Sequence, residues 1–129
     1  MDATSQPLSV LIVEDDERGR NLLRDLLQLE GYRVGVAENG AHGIRAIETR
    51  QFRAALIDIG LPDISGYDVA RSVRRQFSAE EILLVALTGH GRAEDRRDVR
   101  EAGFDEHLVK PLDLDRLRRI LSDRAAGSP

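Results

Sequence analysis

Residues 8–16 read Leu-Ser-Val-Leu-Ile-Val-Glu-Asp-Asp, and the construction of this stretch decides the architecture. Its apolar part is β-branched and continuous, without helical spacing, so residues 8–14 read as a strand buried on both faces. It ends abruptly in acids. Residues 17–30 follow with Leu22, Leu26 and Leu29 on one stripe and Leu23 and Leu27 beside it, which predicts a helix stopped at Gly31. The same alternation then recurs. Strands are expected over 32–37, 53–58, 82–88 and 104–109. Helices are expected over 40–50 behind Asn39, from Ser65 to about residue 76, over 92–102 up to Gly103, and from Asp113 onward with Leu114, Leu117, Ile120 and Leu121 inward.

Five strand–helix units imply parallel strands joined by crossovers and a sheet covered on both faces, hence an α/β fold. An eightfold barrel needs roughly twice the 129 residues present, which leaves an open doubly wound sheet. One domain is expected over 8–124, with small polar tails at 1–7 and 125–129. With 41% hydrophobic residues the chain can build a core and is not a disordered tail. A formal charge of −4 argues against nucleic-acid binding, and no apolar run is long enough to span a membrane. The absence of cysteine removes disulfides, thiolate metal sites and cysteine nucleophiles, and is compatible with a reducing cytoplasm.

In open α/β sheets ligands bind beyond the carboxyl ends of the strands, so polar residues at those ends are the site candidates. The first carries Glu14, Asp15 and Asp16, the third Asp58, the fourth Thr88 and the fifth Lys110. Gathered carboxylates raise one another's pKa and cost stability unless a hard cation sits among them. Oxygen ligands without Cys or His suit magnesium, with manganese as a substitute, and magnesium of this kind usually shares its ligand shell with a phosphate oxygen. Each residue also has a plainer reading: Asp16 fits a helix N-cap, Thr88 an ordinary strand threonine, and Lys110 a surface lysine. Lys110 is nevertheless the single lysine among nineteen basic side chains, where arginine is otherwise used throughout. A compact, mobile point charge is what lysine offers to a phosphate or carboxylate.

Val13-Glu14-Asp15-Asp16, Asp58-Ile59-Gly60-Leu61-Pro62 with Ser65-Gly66, Leu87-Thr88-Gly89, and Lys110-Pro111 resemble, in order and spacing, the landmark segments of the receiver domain of two-component response regulators. The resemblance runs from about Leu8 to Leu121. It implies a flavodoxin-like (βα)5 sheet of strand order 2-1-3-4-5. It also implies that Asp58 is the phosphoacceptor, taking a phosphoryl group from a phosphohistidine of a histidine kinase or histidine phosphotransferase. Asp15 matches a direct metal ligand, Glu14 a second acid acting through metal-bound water, and the backbone carbonyl of Gly60 a further ligand. Thr88 matches the switch hydroxyl, Lys110 the phosphoryl-binding cation, and Lys110-Pro111 a cis peptide.

Two features depart from the commonest family pattern. His107 stands at the switch position usually held by Tyr or Phe, and reads equally well as a half-exposed strand histidine. Gly60 and His90 occupy the positions that flank the approach of water, so the lifetime of the phosphoryl group stays open. Leu23 or Leu27 is a candidate contact for the donor's helix, with an all-core role as the alternative. The expected activity is that of a switch that promotes only its own phosphorylation and slow dephosphorylation. Competing readings are a haloacid-dehalogenase-like phosphohydrolase, whose second Asp is missing from Asp58-Ile59-Gly60, and a degenerate receiver used as an interaction module. Because only residues 122–129 follow the last helix, the chain is expected to be a stand-alone receiver or one cut from a longer protein such as a parent hybrid kinase; a homodimer is a separate expectation.

Overall fold

The computed structural model describes residues 8–89 and 93–126. The elements are β1 (Ser9–Val13), α1 (Glu17–Leu29), β2 (Arg33–Ala37), α2 (Gly40–Glu48), β3 (Ala54–Asp58), α3 (Gly66–Arg74), β4 (Leu83–Thr88), α4 (Ala93–Ala102), β5 (Glu106–Val109) and α5 (Leu114–Ala125). The strands pair in parallel in the order β2-β1-β3-β4-β5, the doubly wound flavodoxin-like sheet expected from the alternation and the resemblance. α2 is shorter than its pattern, because Thr49 caps it and Arg50 turns to a φ of 64°. α5 runs through Ala125, one residue into the expected tail.

Two apolar layers hold the sheet. Leu11, Val13, Ala55, Ile57, Leu84 and Ala86 face one way, against Ile47 of α2, Val69 and Val73 of α3, and Val99 of α4. Val10, Ile12, Leu56, Val85 and Leu87 face the other, against Leu23 and Leu27 of α1 and Leu117 and Leu121 of α5. Strands covered on both sides cannot alternate apolar with polar, which explains the continuous runs in β1, β3 and β4. Each buried leucine contributes about 1.5–3 kcal/mol.

On α1 the structure corrects the expected stripe. Leu23 and Leu27 face the sheet at 8% and 3% exposure, whereas Leu22 and Leu29 project into solvent at 62% and 84%. A helix of 13 residues cannot bury five leucines on one sheet face, and the i, i+4 pair takes the core. The expected caps form: Asp16 accepts from the N–H of Gly19 at 2.9 Å, Asn39 from His42 at 2.9 Å, Ser65 from Asp68 at 3.2 Å, and Asp113 from Asp115 at 3.0 Å.

A further cap is supplied from outside the helix. Asp63, in the loop after β3, accepts the N–H of Gly40 at 2.8 Å and of Ala41 at 2.9 Å, so both of its oxygens close the amino end of α2. Desolvation pushes this carboxyl upward, but the N–H groups of Ala41, Gly40 and Ile64 outweigh it and hold Asp63 at about 2. A depressed carboxyl pKa stabilises the fold above the unfolded value of about 3.9, and the stabilisation disappears as pH falls through the folded value. Asp63→Ala should therefore cost about 1 kcal/mol at neutral pH, with exposure limiting the charge contribution. Its urea midpoint should merge with that of the parent protein at about pH 2. An equal gap between the two midpoints at both pH values would contradict the linkage.

Candidate functional site

The chain reverses its winding between β1 and β3, so the carboxyl ends of these neighbouring strands open a crevice. Glu14 and Asp15 leave β1 there and Asp58 closes β3, opposite Leu87 in the β3–β4 register. Asp15 is exposed, Asp58 is half-buried and Glu14 is buried at 6% exposure. One carboxylate oxygen from each lies within 4.8 Å of those of the other two. Three acids from the ends of two strands thus converge on one small volume.

Lys110 reaches the same volume from the end of β5. Its Nζ lies 2.7 Å from Glu14 Oε1 and 3.4 Å from Asp58 Oδ2, so one ammonium bridges two of the acids. Burial pushes the Glu14 carboxyl above the ordinary carboxylate range, the neighbouring Asp58 adds to this, and Lys110 pulls the other way. For Lys110, burial works against the charged form, and Glu14 with Asp58 outweighs it, raising the pKa above the usual lysine value. Lys110 therefore stays protonated through the physiological range. The Lys110-Pro111 bond is cis, as the resemblance implies.

Backbone contacts fix the surrounding loops. Gly60 donates its N–H to Asp58 Oδ1 at 3.1 Å, and a Cβ added at Gly60 would meet only that oxygen, at 3.9 Å, so the carboxylate is open on this side. At Gly66 the opposite holds, because a Cβ there would sit 2.6 Å from the backbone oxygen of Asp58. Only glycine lets the amino end of α3 approach the loop after β3 this closely. Arg20, which the sequence reading did not single out, donates to the carbonyl of Glu14 at 3.0 Å and pins the β1–α1 loop. Its spacing carried no signal among eighteen arginines.

Thr88 ends β4 at 6% exposure, and its Oγ1 lies 2.7 Å from Nε2 of the half-buried His107. Its carbonyl accepts the N–H of Lys110 at 2.7 Å, tying the ends of β4 and β5 together. His90 lies outside the described residues. Beside the site a groove of about 330 Å³ is lined by Leu22, Leu23, Leu26, Lys110, Pro111 and Leu112. Leu27 is enclosed in the core, which excludes it as a surface contact. Among the described residues no helix is long and apolar enough to cross a membrane.

Residues 10–122 match the response regulator receiver domain family. The chain belongs to that family. This receiver is 31% identical over 126 residues to a 14.6 kDa protein from the sodA1 3' region of Leptolyngbya boryana, covering 98% of this chain and 96% of that one. It is similar to the CheY-like receiver domain protein of Methanospirillum hungatei JF-1, with a TM-score of 0.85 at 26% identity over 95% of this chain and 96% of that one. The receiver domain of the sensor histidine kinase PA1611 of Pseudomonas aeruginosa, solved with magnesium in its active-site cleft, gives a TM-score of 0.83 at 32% identity, over 95% and 99% of the two chains. Other curated relatives are longer, and this receiver spans 42%, 55% or 10% of their lengths. As a receiver, the domain is a two-component signalling module.

Proposed function

We propose that this receiver accepts a phosphoryl group on Asp58 from a phosphohistidine of a histidine kinase or histidine phosphotransferase and thereby changes its partner-binding surface. The observation that carries this reading is the convergence of Glu14, Asp15 and Asp58 within 4.8 Å, with Lys110 Nζ 3.4 Å from the Asp58 carboxylate. An Asp58 oxygen attacks phosphorus as the P–N bond breaks, and the electron pair of that bond returns to the imidazole nitrogen. Asp58 is aimed for this by the N–H of Gly60 and by the close packing of Gly66.

The donor set fits a hard divalent cation. It is all oxygen, it contains neither Cys nor His, and its most buried member, Glu14, has an elevated pKa that a nearby cation would relieve. Asp15, Asp58 and the Gly60 carbonyl would hold magnesium, or manganese in its place, with Glu14 acting through a bound water. When bound, the ion neutralises the charge shared by carboxylate and phosphoryl oxygens. Lys110 then binds a second phosphoryl oxygen and the Thr88 hydroxyl a third, each as a hydrogen-bond donor. Gly60 and His90 would govern how water reaches the acyl phosphate.

The groove beside Lys110 is suited to a histidine-bearing helix of the donor, with Leu22, Leu26 and Leu112 as contacts. The similarity to the receiver of a sensor histidine kinase supports a parent hybrid kinase as one source of that donor. A cytoplasmic location follows from that partnership. The test is incubation with magnesium and a small acyl or amido phosphate, followed by peptide mapping. One acid-labile phosphate on the peptide containing Asp58, prevented by chelator, is expected. Label on a hydroxyl side chain, or uptake indifferent to chelator, would overturn the reading.

A further inference from the structure

The loop from Ile59 to Ser65 joins Asp58 to α3 and carries Gly60, whose carbonyl is proposed above as a metal ligand. Its ends are fastened to the sheet and to each other: Ile59 donates its N–H to the carbonyl of Leu87 at 3.1 Å, and Gly66 donates to that of Ile59 at 2.9 Å. Its middle is fastened to α2. Asp63 takes the N–H of Gly40 on one carboxylate oxygen and that of Ala41 on the other, at 2.8 and 2.9 Å. The approach is close, because a Cβ at Gly40 would lie 2.5 Å from Ile64 Cγ1. α2 is in turn seated on the other acidic strand. A Cβ at Gly43 would lie 2.9 Å from Val13 Cγ2, and Val13 immediately precedes Glu14 and Asp15. The N–H of Glu14 meets the carbonyl of Ala37 at 3.0 Å, three residues before α2 begins. One helix end therefore touches both segments that supply the acids. Its first turn has a cap of its own in Asn39, which accepts from His42 at 2.9 Å, so Asp63 adds a link across 23 residues rather than a missing cap.

We infer that Asp63 is a positioning residue for the metal site: its paired bonds to Gly40 and Ala41 fix the loop carrying Gly60 against α2, and through α2 against the Glu14–Asp15 end of β1. This rests on the proposed metal-binding roles of Asp15, Asp58 and Gly60. Asp63 is not among the carboxylates that converge within 4.8 Å, so it acts through the loop and not as a ligand. A cation binds most tightly to ligands already in place. Where a loop samples other positions, the apparent affinity falls in proportion to the fraction of time it spends in the competent one. Ile59, Leu61 and Ile64 pack against the core, so without Asp63 the loop stays attached but is no longer fixed in place.

The test is a magnesium titration of the full chain labelled with nitrogen-15, followed by the amide signals of Asp58 and Gly60. Asp63→Ala should bind magnesium about fivefold more weakly than the parent protein. Asp63→Asn is equally uncharged but keeps a carbonyl oxygen for one of the two N–H groups, and should lose no more than about twofold. The Asp63→Ala loss should persist from about 0.1 M to about 1 M potassium chloride, although the screening length shrinks from about 10 Å to about 3 Å. Arg74→Ala, which removes a bond to the carbonyl of Ile82 just ahead of β4, at the other end of the sheet, should bind as the parent does. Parental affinity in Asp63→Ala overturns the inference. Equal losses in the Ala and Asn variants, or a loss that vanishes in high salt, make Asp63 a source of negative potential and overturn it too, as does a comparable loss in Arg74→Ala. Magnesium binding undiminished in Asp15→Asn overturns the underlying metal assignment, and the inference falls with it. Amide exchange on the unaltered protein decides the matter even if a variant folds poorly. The N–H groups of a helix's first turn have no partner within the helix, so slowed exchange at Gly40 and Ala41 is expected from the bonds to Asp63. Exchange there at the rate of open amides overturns the inference.

Discussion

Asp58→Asn should abolish magnesium-dependent phosphate uptake, lowering the rate by at least about a thousandfold, or roughly 4 kcal/mol of barrier. The side chain keeps its shape and can still accept the N–H of Gly60, but the amide is neutral and its oxygen is a far weaker nucleophile than a carboxylate. It also loses its attraction for Lys110, which sits closer to Glu14 than to Asp58 in any case, at 2.7 Å against 3.4 Å. Removing one of three crowded negative charges should therefore leave the metal-free fold at least as stable as before. The measurements are radiolabel incorporation from a small phosphodonor and a thermal midpoint in chelator. Uptake that persists in the variant would move the acceptor elsewhere, with Asp15 next to be tested. A lowered midpoint would show that the Asp58 carboxylate stabilises the fold through Lys110 rather than crowding its neighbours.

The sequence carried this site further than it carried the contacts around it. Continuous apolar runs ending in acids located β1 and β3 and their chemistry, because a parallel sheet buries its strands on both faces and gathers their carboxyl ends on one rim. The strand order, the cis peptide and the switch position of His107 came from the family resemblance, and the contact of His107 with Thr88 from the structure. What neither supplied were pairings across long stretches of chain. The Glu14–Lys110 bond joins residues 96 apart, and the Asp63 cap on α2 spans 23. Such partners share no local periodicity, so only the folded geometry selects them. The phase of α1 was misread for a related reason. Leu22, Leu23, Leu26, Leu27 and Leu29 fit more than one helical stripe, and packing against the sheet, not spacing, decides which pair is buried.

Arg74 is the strongest example of a residue that composition conceals, and Arg74→Ala should destabilise the fold by about 2–4 kcal/mol. It lies in the last turn of α3 with its side chain only 17% exposed. Nε donates to the carbonyl of Gly103 at 2.8 Å, Nη1 to those of Ser78 and Ile82 at 3.0 Å each, and Nη2 to Asp105 Oδ2 at 2.7 Å. That same Asp105 oxygen accepts the N–H of Leu84 at 2.8 Å, so one guanidinium joins α3, the start of β4 and the loop into β5. Gly103 has a φ of 112°, and a Cβ there would lie 2.5 Å from Arg74 Cγ, so the loop backbone lies directly on the arginine stem. Truncation takes a donor from the carbonyls of Gly103 and Ile82, while that of Ser78 keeps the N–H groups of Glu81 and Ile82, and it leaves Asp105, itself 25% exposed, without its cation. Arg74→Lys restores one charge but not the fork, and should recover less than half of the loss. Urea unfolding at constant slope measures the effect, and a change below about 1 kcal/mol would mean that water replaces the guanidinium at little cost. Because this clamp fastens the amino ends of β4 and β5, opposite the rim that carries Asp58, the folded fraction of Arg74→Ala should take up phosphate at the parental rate. That separation of stability from phosphorylation distinguishes a structural arginine from one that serves the site.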